Sequence, residues 1–337
     1  MFTQKKLQLI IGLFCAACLF ACKNDPKTSK PEKITIDIPT FNADMAYRYI
    51  EKQVSFGPRV PNTPPHDSCA AWLKREFHSI GARVIVQHAD LKAYTGEIIK
   101  AQNIIAVYNP DAKRRVMLAA HWDSRHIAEW DTDPARRMEP ILGADDGGSG
   151  VGVLLEIARN LNVHGIDDLG VDIVLFDAED IGQPQGGGGF PEQQNTWCLG
   201  AQHWSRNKHV ENYRPMYGIL LDMVGSKNAR FSREGTSMKY APDIMNKVWK
   251  EGQKAGYSSY FDFAQTDAIT DDHLYVNELA KIPMIDIINR PLTSENGGFG
   301  HYWHTHKDNM DVIDKKTLTA VGQTVLNVLY KEAAGAL

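Results

Sequence analysis

Two pairs of adjacent acids stand where apolar runs give way to glycine. They are Asp145–Asp146 in "ILGADDGGSGVGVLLE" and Glu179–Asp180 in "VDIVLFDAEDIGQPQGGGGF". Neighbouring carboxylates repel, so a cation, a shared proton or both must compensate them. Near the C-terminus, "GHYWHTHKDN" supplies His301, His304 and His306. Zinc takes imidazole nitrogen and carboxylate oxygen, and a catalytic site uses three protein ligands with a fourth position open. Asp146, Asp180 and one of those histidines meet that count, and spacing leaves open which one. Asp145 and Asp146 also suit the start of a helix, where acids satisfy free amides and complement the dipole.

Those residues need elements that bring them together. "ARVIVQHA", "NIIAVYN", "RVMLAAH", "DIVLFD", "GILLDMVG" and "IPMIDII" read as strands. "MAYRYIEKQVSFG", "DSCAAWLKREFHSIG", "GGSGVGVLLEIARNLN", "LGAQHWSRN", "PDIMNKVWKEGQKAG" and "DKKTLTAVGQTVLNVLYKEA" read as helices. "FGPRVPNTPPH" reads as a loop whose turn Pro61, Pro64 and Pro65 fix. The alternation implies one α/β domain over 35–337, a mainly parallel or mixed sheet covered on both faces. In such sheets ligands gather beyond the carboxyl ends of the strands. Four apolar runs release polar residues at that end: His121 with Asp123, Glu179 with Asp180, Asp222, and Asp286. Arg125, Arg136 and Arg137 fall in the loop between "HWDSR" and "GADD", where they read as exposed.

The chain has 337 residues, 43% hydrophobic and 23% charged, with a net charge of −4. The mild acidity and the lack of a basic stripe argue against nucleic-acid binding. Lys5 and Lys6 precede an apolar run, Leu7 to Ala21, which reads as a signal peptide over 1–21. "LFAC" resembles a bacterial lipobox, with Cys22 as the lipidated residue and 22–34 as a polar tether. This places the body in a bacterial cell envelope, on the periplasmic side, held at the membrane by lipid. Beyond Cys22 only Cys69 and Cys198 remain, enough for one disulfide at most.

The ordered segments "FGPRVPNTPPHD", "LAAHWDSR", "GADDGGSGVGVLLEIA", "VLFDAEDIG", "CLGAQHW", "LLDMVGS" and "YWHTHKDNMDVI" resemble the superfamily of zinc aminopeptidases and glutaminyl cyclases. The resemblance implies a three-layer α/β sandwich around a mostly parallel six-stranded sheet. Its cyclase branch carries a Trp before the liganding His, here Trp303–His304. It also carries an acidic segment ending Asp-Asp-His, here Asp271, Asp272 and His273. The implied activity is conversion of the N-terminal Gln of peptides to pyroglutamate with loss of ammonia, by a monomer holding one zinc. The implied ligands are Asp146, Asp180 and His304. Glu179 is the implied proton-transfer group, Asp222 and Asp271 the acids sharing a proton, and Trp303, Asp286 and Phe299 the pocket.

The alternative is a two-zinc aminopeptidase, which puts His121 and Asp222 on one ion, Asp180 and the His on another, and Asp146 between them. Asp286 stands where animal cyclases have His, and Asp180 where they commonly have Glu. A glycine-rich insertion separates Glu179–Asp180 from "CLGAQHW", so the match of Trp197 stays open. A peptide-binding scaffold of this fold is a third reading, but every position keeps a chemically competent residue.

Overall fold

A computed structural model of the chain describes residues 36–294 and 298–337. The apolar leader, Cys22 and the tether lie outside the described residues. Among those described, no helix is long and apolar enough to cross a membrane.

Six strands make the central sheet, in the order β1 (Arg83–Lys92), β2 (Ile98–Tyr108), β4 (Gly170–Phe176), β3 (Arg115–His121), β5 (Tyr217–Asp222) and β8 (Met284–Ile288). β4, β3, β5 and β8 run parallel, while the β1–β2 hairpin joins antiparallel along β4. β6 (Phe231–Arg233) and β7 (Phe261–Gln265) form a small second sheet that the residue pattern did not predict.

Side chains alternate across a strand. Val116, Leu118 and Ala120 of β3 therefore enter one core, while Met117 and Ala119 enter the other. The first core is covered by α1 (Ala43–Val54), α2 (Pro64–Ser79), α3 (Gly148–His164), α6 (Pro242–Lys254) and α8 (Lys315–Ala333). The second is covered by α4 (Leu199–Arg206) and α7 (Asp272–Tyr275), which a π-helical turn continues to Ala280. α5 (Gly235–Tyr240) lies against β8. The three-layer sandwich is thus the observed architecture.

Gly150 shows how close the layers come. A Cβ there would stand 2.2 Å from the Leu221 carbonyl oxygen, so only glycine lets α3 lie this near β5. That approach carries Asp146, just ahead of α3, over the strand ends.

One expectation changes here, and one question that the sequence left open is answered. Pro64 and Pro65 begin α2 instead of belonging to the loop, because a first-turn proline gives up an amide with no helical partner. Cys69 and Cys198 are buried free thiols in different cores, on opposite faces of the sheet, so no disulfide joins them.

Candidate metal centre

β3 ends at His121, β5 at Asp222, and β4 at Phe176, three residues before Glu179. These strands are parallel, so their ends deliver side chains to one edge. The N-cap of α3 is Gly147. Asp145 is therefore no helix cap: it is buried, accepting the Gly225 amide at 2.6 Å and the Tyr302 hydroxyl. Tyr302 is buried beneath the loop.

Asp146, Asp180 and His304 come together, each offering a ligand atom within 4.8 Å of the others, and all are buried. His304 Nε2 lies 3.2 Å from Asp180 Oδ1 and 3.7 Å from Asp146 Oδ2. Its Nδ1 faces Glu129 at 3.0 Å, so a carboxylate orients the ring. Asp180 Oδ2 is buried without a hydrogen-bond partner. Two carboxylates, one oriented imidazole and an orphaned buried oxygen are the donor set that zinc takes. His121, Asp146 and Asp222 form an adjoining group through the shared Asp146, with His121 Nε2 at 2.9 Å from Asp146 and 3.2 Å from Asp222. His301 is exposed, and His306 pairs with Asp131 at 2.7 Å.

Crowded charge shapes this edge. Burial and Asp146 raise the Asp180 carboxyl to about 6, against the pull of His304. Burial also raises Asp222 to about 8, with Asp146 and Asp271 adding to it and His121 opposing. Burial lifts Glu179 well above the usual range, reinforced by Asp180, Asp271 and Asp272 and opposed by His121. A divalent cation would relieve this repulsion.

Several residues hold the site in roles the sequence did not assign them. Asp123 accepts the amides of Glu179 and Asp180, and Asp308 those of Asp145 and Asp146. Arg125 is fully buried, not exposed as expected. It binds Glu129 at 2.6 Å, donates to the Asp180 carbonyl at 2.8 Å, and lies 4.3 Å over the Trp197 ring. Non-glycine residues rarely take positive φ, yet Ala178 (53°), Met223 (48°) and His304 (52°) all do. Such strain clusters where function over-determines the backbone.

A cleft of about 720 Å³ opens onto the group. Glu179, Asp222 and Asp271 line it, as do Trp197, Phe299 and Trp303. Trp303 stacks on His304 at 3.7 Å, and Trp197 lies nearly parallel to that ring at 5.9 Å. The glycine-rich insertion forms one wall, which also settles the place of Trp197. Asp286, expected in the wall, is instead buried in mid-strand behind Asp271 and does not line the cleft. A mid-strand residue stays inside the sheet edge, short of the opening.

Comparison with known proteins fits this geometry. A glutaminyl cyclase of Tannerella forsythia is 54% identical, covering 87% of this chain and 99% of its own, with a TM-score of 0.84. A zinc-dependent exopeptidase of Parabacteroides distasonis is 50% identical over 87% of this chain and 99% of its own, with a TM-score of 0.85. The glutaminyl-peptide cyclotransferase of Gloydius blomhoffii is 23% identical over 305 residues, 81% of this chain and 77% of the relative. The profile of peptidase family M28 matches residues 103–329, spanning β3 through α8 and every acid and histidine of the metal group, and the chain belongs to that family.

Proposed function

We propose that the protein is a zinc-dependent glutaminyl-peptide cyclotransferase, closing the N-terminal Gln of peptides to pyroglutamate with release of ammonia. The observation that carries this reading is the buried Asp146–Asp180–His304 group beside Glu179, at the floor of a tryptophan-walled cleft. The kinship with bacterial glutaminyl cyclases at about half identity supports it.

Asp146, Asp180 and His304 would hold one zinc ion, which when bound would supply Lewis-acid polarisation of the γ-carbonyl. The chain does the rest. The reaction joins two groups of one substrate residue, so it needs positioning more than a protein nucleophile. Glu179 lines the cleft next to a ligand, and its raised carboxyl suits it to take a proton from the attacking α-amine and pass it to the departing ammonia. Burial and the Asp146 and Asp271 carboxylates favour the protonated form of Asp222, which would hold the proton of the Asp222–Asp271 pair. Trp303 and Trp197 wall the site against water, which favours ring closure over hydrolysis. Phe299, 4.5 Å from the Trp303 ring, extends that wall.

The group His121–Asp146–Asp222 favours one competing reading, the two-ion aminopeptidase, in which Glu179 deprotonates a metal-bound water. Incubation with Gln-peptides and with Leu-p-nitroanilide separates the two. Pyroglutamate formation with one zinc per chain is expected. Leucine release without pyroglutamate would sink the cyclase.

The mature protein is read as a monomer anchored by lipid on Cys22 at the periplasmic side of a bacterial envelope. Support comes from the charged start, the apolar run and the "LFAC" segment. An inhibitor of lipoprotein signal peptidase should leave the precursor uncut, and normal processing would rule out the lipid anchor.

A further inference from the structure

The glycine-rich insertion between Asp180 and Trp197 has no task in the reaction above, yet it supplies the longest stretch of the cleft wall. Gly186, Gly187, Gly188 and Gly189 take φ of 81°, 84°, 55° and 86°, a run that only glycine follows without strain. A 3₁₀ turn over Gly187–Gly189 is too short to fix the shape of this segment. Gln183 does so instead. Its side chain is 8% exposed and bonds to the insertion's own backbone. Nε2 donates to the Gly187 and Pro191 carbonyls at 3.0 Å and reaches the Phe190 carbonyl at 3.5 Å. Oε1 accepts the Gln193 amide at 2.8 Å. The Gln183 amide donates to Thr196 Oγ1 at 3.0 Å and closes the base of the loop.

Around this hub the insertion is moored to the body of the protein. Gln193 Nε2 donates to the Tyr94 carbonyl at 2.8 Å, and the Phe190 ring meets Tyr94 edge-on at 5.5 Å. Gln202 Nε2 holds the Asn195 and Trp197 carbonyls at 2.9 Å each. What the wall presents to the cleft is amide. Gln185 and Asn195 are exposed there, and Tyr275 donates to Asn195 Oδ1 at 3.2 Å, which leaves the Asn195 NH₂ to donate. A side-chain amide carries the same donor and acceptor types as a peptide bond. Glycines beside them let another chain come close, since no Cβ stands in the way. Such a surface suits an extended main chain and reads little of its side chains.

We propose that Gln183 is a positioning residue that shapes the insertion into a subsite for the peptide main chain beyond the reacting N-terminal residue. The wall runs on from Glu179 and Trp197, so a peptide whose first residue sits at the metal group meets it next. The subsite rests on the reading that the cleft takes a peptide N-terminus, which the cyclase and the aminopeptidase share.

The test compares Gln-Ala-amide with Gln-Ala-Ala-Ala-Ala-amide on the zinc-loaded protein. The longer peptide should show a KM about tenfold lower at similar kcat, the gain from one or two net hydrogen bonds. Gln183→Met fills the same space without the amide. It should raise the KM of the longer peptide about tenfold, to that of the shorter one. The shorter peptide's KM and both kcat values should stay within about twofold. Gly187→Ala should give the same result without touching Gln183: its Cβ would stand 3.8 Å from Nε2, an ordinary contact, but φ of 84° is one that alanine rarely adopts. A merely structural role would weaken both peptides alike or lower kcat, and either result overturns the proposal. A parent protein indifferent to peptide length overturns it too. Calorimetry of both peptides on zinc-loaded Glu179→Gln reads the same tenfold difference in Kd without turnover. Length-dependent binding there, with no pyroglutamate from the parent protein, would remove the cyclase and uphold the subsite. Equal affinities would remove the subsite whatever the reaction.

Discussion

Asp123 and Asp308 perform the same task on opposite sides of the metal group. Asp123 accepts the successive amides of Glu179 and Asp180 at 3.1 Å each. Asp308 accepts those of Asp145 and Asp146 at 2.8 and 3.1 Å. Each acid pair is therefore held by its backbone, which leaves Asp146 and Asp180 to face the cation position. Two carboxylates that repel one another need such an external hold.

Asp308→Asn should disturb this hold without removing a ligand. One oxygen acceptor becomes an amide donor facing an N–H, so an amide loses its partner. Zinc affinity is expected to fall about 10–100-fold, the usual cost of losing an orienting contact. Competition with a chromophoric chelator measures it, and unchanged affinity would dismiss the positioning role.

Glu179→Gln removes the proton carrier but no metal ligand. Turnover of a Gln-peptide should drop by about 10²–10⁴. Metal content should remain that of the parent protein, as checked by elemental analysis. Full activity would remove Glu179 from the reaction.

Gly182 has no room for a side chain, since an added Cβ would stand 1.9 Å from the Trp197 ring. Gly182→Ala should expel that indole from Arg125 and from the cleft wall. Such aromatic and cation–π contacts are worth about 0.5–2 kcal/mol. Gly182→Ala and Trp197→Ala should share one phenotype, with weaker substrate binding in KM and similar melting temperatures. Wild-type kinetics in Gly182→Ala would show the ring does not shape the cleft.

Zinc binding should strengthen as pH rises toward about 9. Burial lowers the His304 imidazole, but Asp180 and Glu129 outweigh it and raise the ring from 6.5 to about 9. A raised histidine stabilises the metal-free fold fully below pH 6.5, and this contribution is lost as pH rises through about 9. Binding needs the deprotonated ring and the deprotonated Asp180, so it releases protons. Calorimetry in buffers of different ionisation enthalpy would reveal that release, and affinity independent of pH would contradict it.

Much of this was legible in residue order. β-branched runs and the helical spacing of Val151, Leu154 and Ala158 marked the six sheet strands and the longer helices, because burial on both faces leaves a continuous apolar signature. The pairs Asp145–Asp146 and Glu179–Asp180, with one of His301, His304 and His306, marked a cation site by chemistry alone, and the resemblance to the cyclases pointed to His304. Arg125, Glu129 and Asp308 gave no such signal, and Asp123 stood out only as a strand-end acid, since each acts through a partner that the fold supplies. Glu129 lies 175 residues from His304 yet orients it at 3.0 Å. β6 and β7 were too short to stand out. Asp286 was misplaced because a strand's composition does not say where its ordered edge stops.

The chain's order of residues determined which groups can bind metal and move protons, because ligand type and acidity belong to the side chain. Only the tertiary structure decided which histidine joins Asp146 and Asp180, which arginine is buried, and which acid stands behind the cleft. Those outcomes depend on distances and desolvation between segments far apart in sequence, and these exist only once the sheet has closed over its two cores.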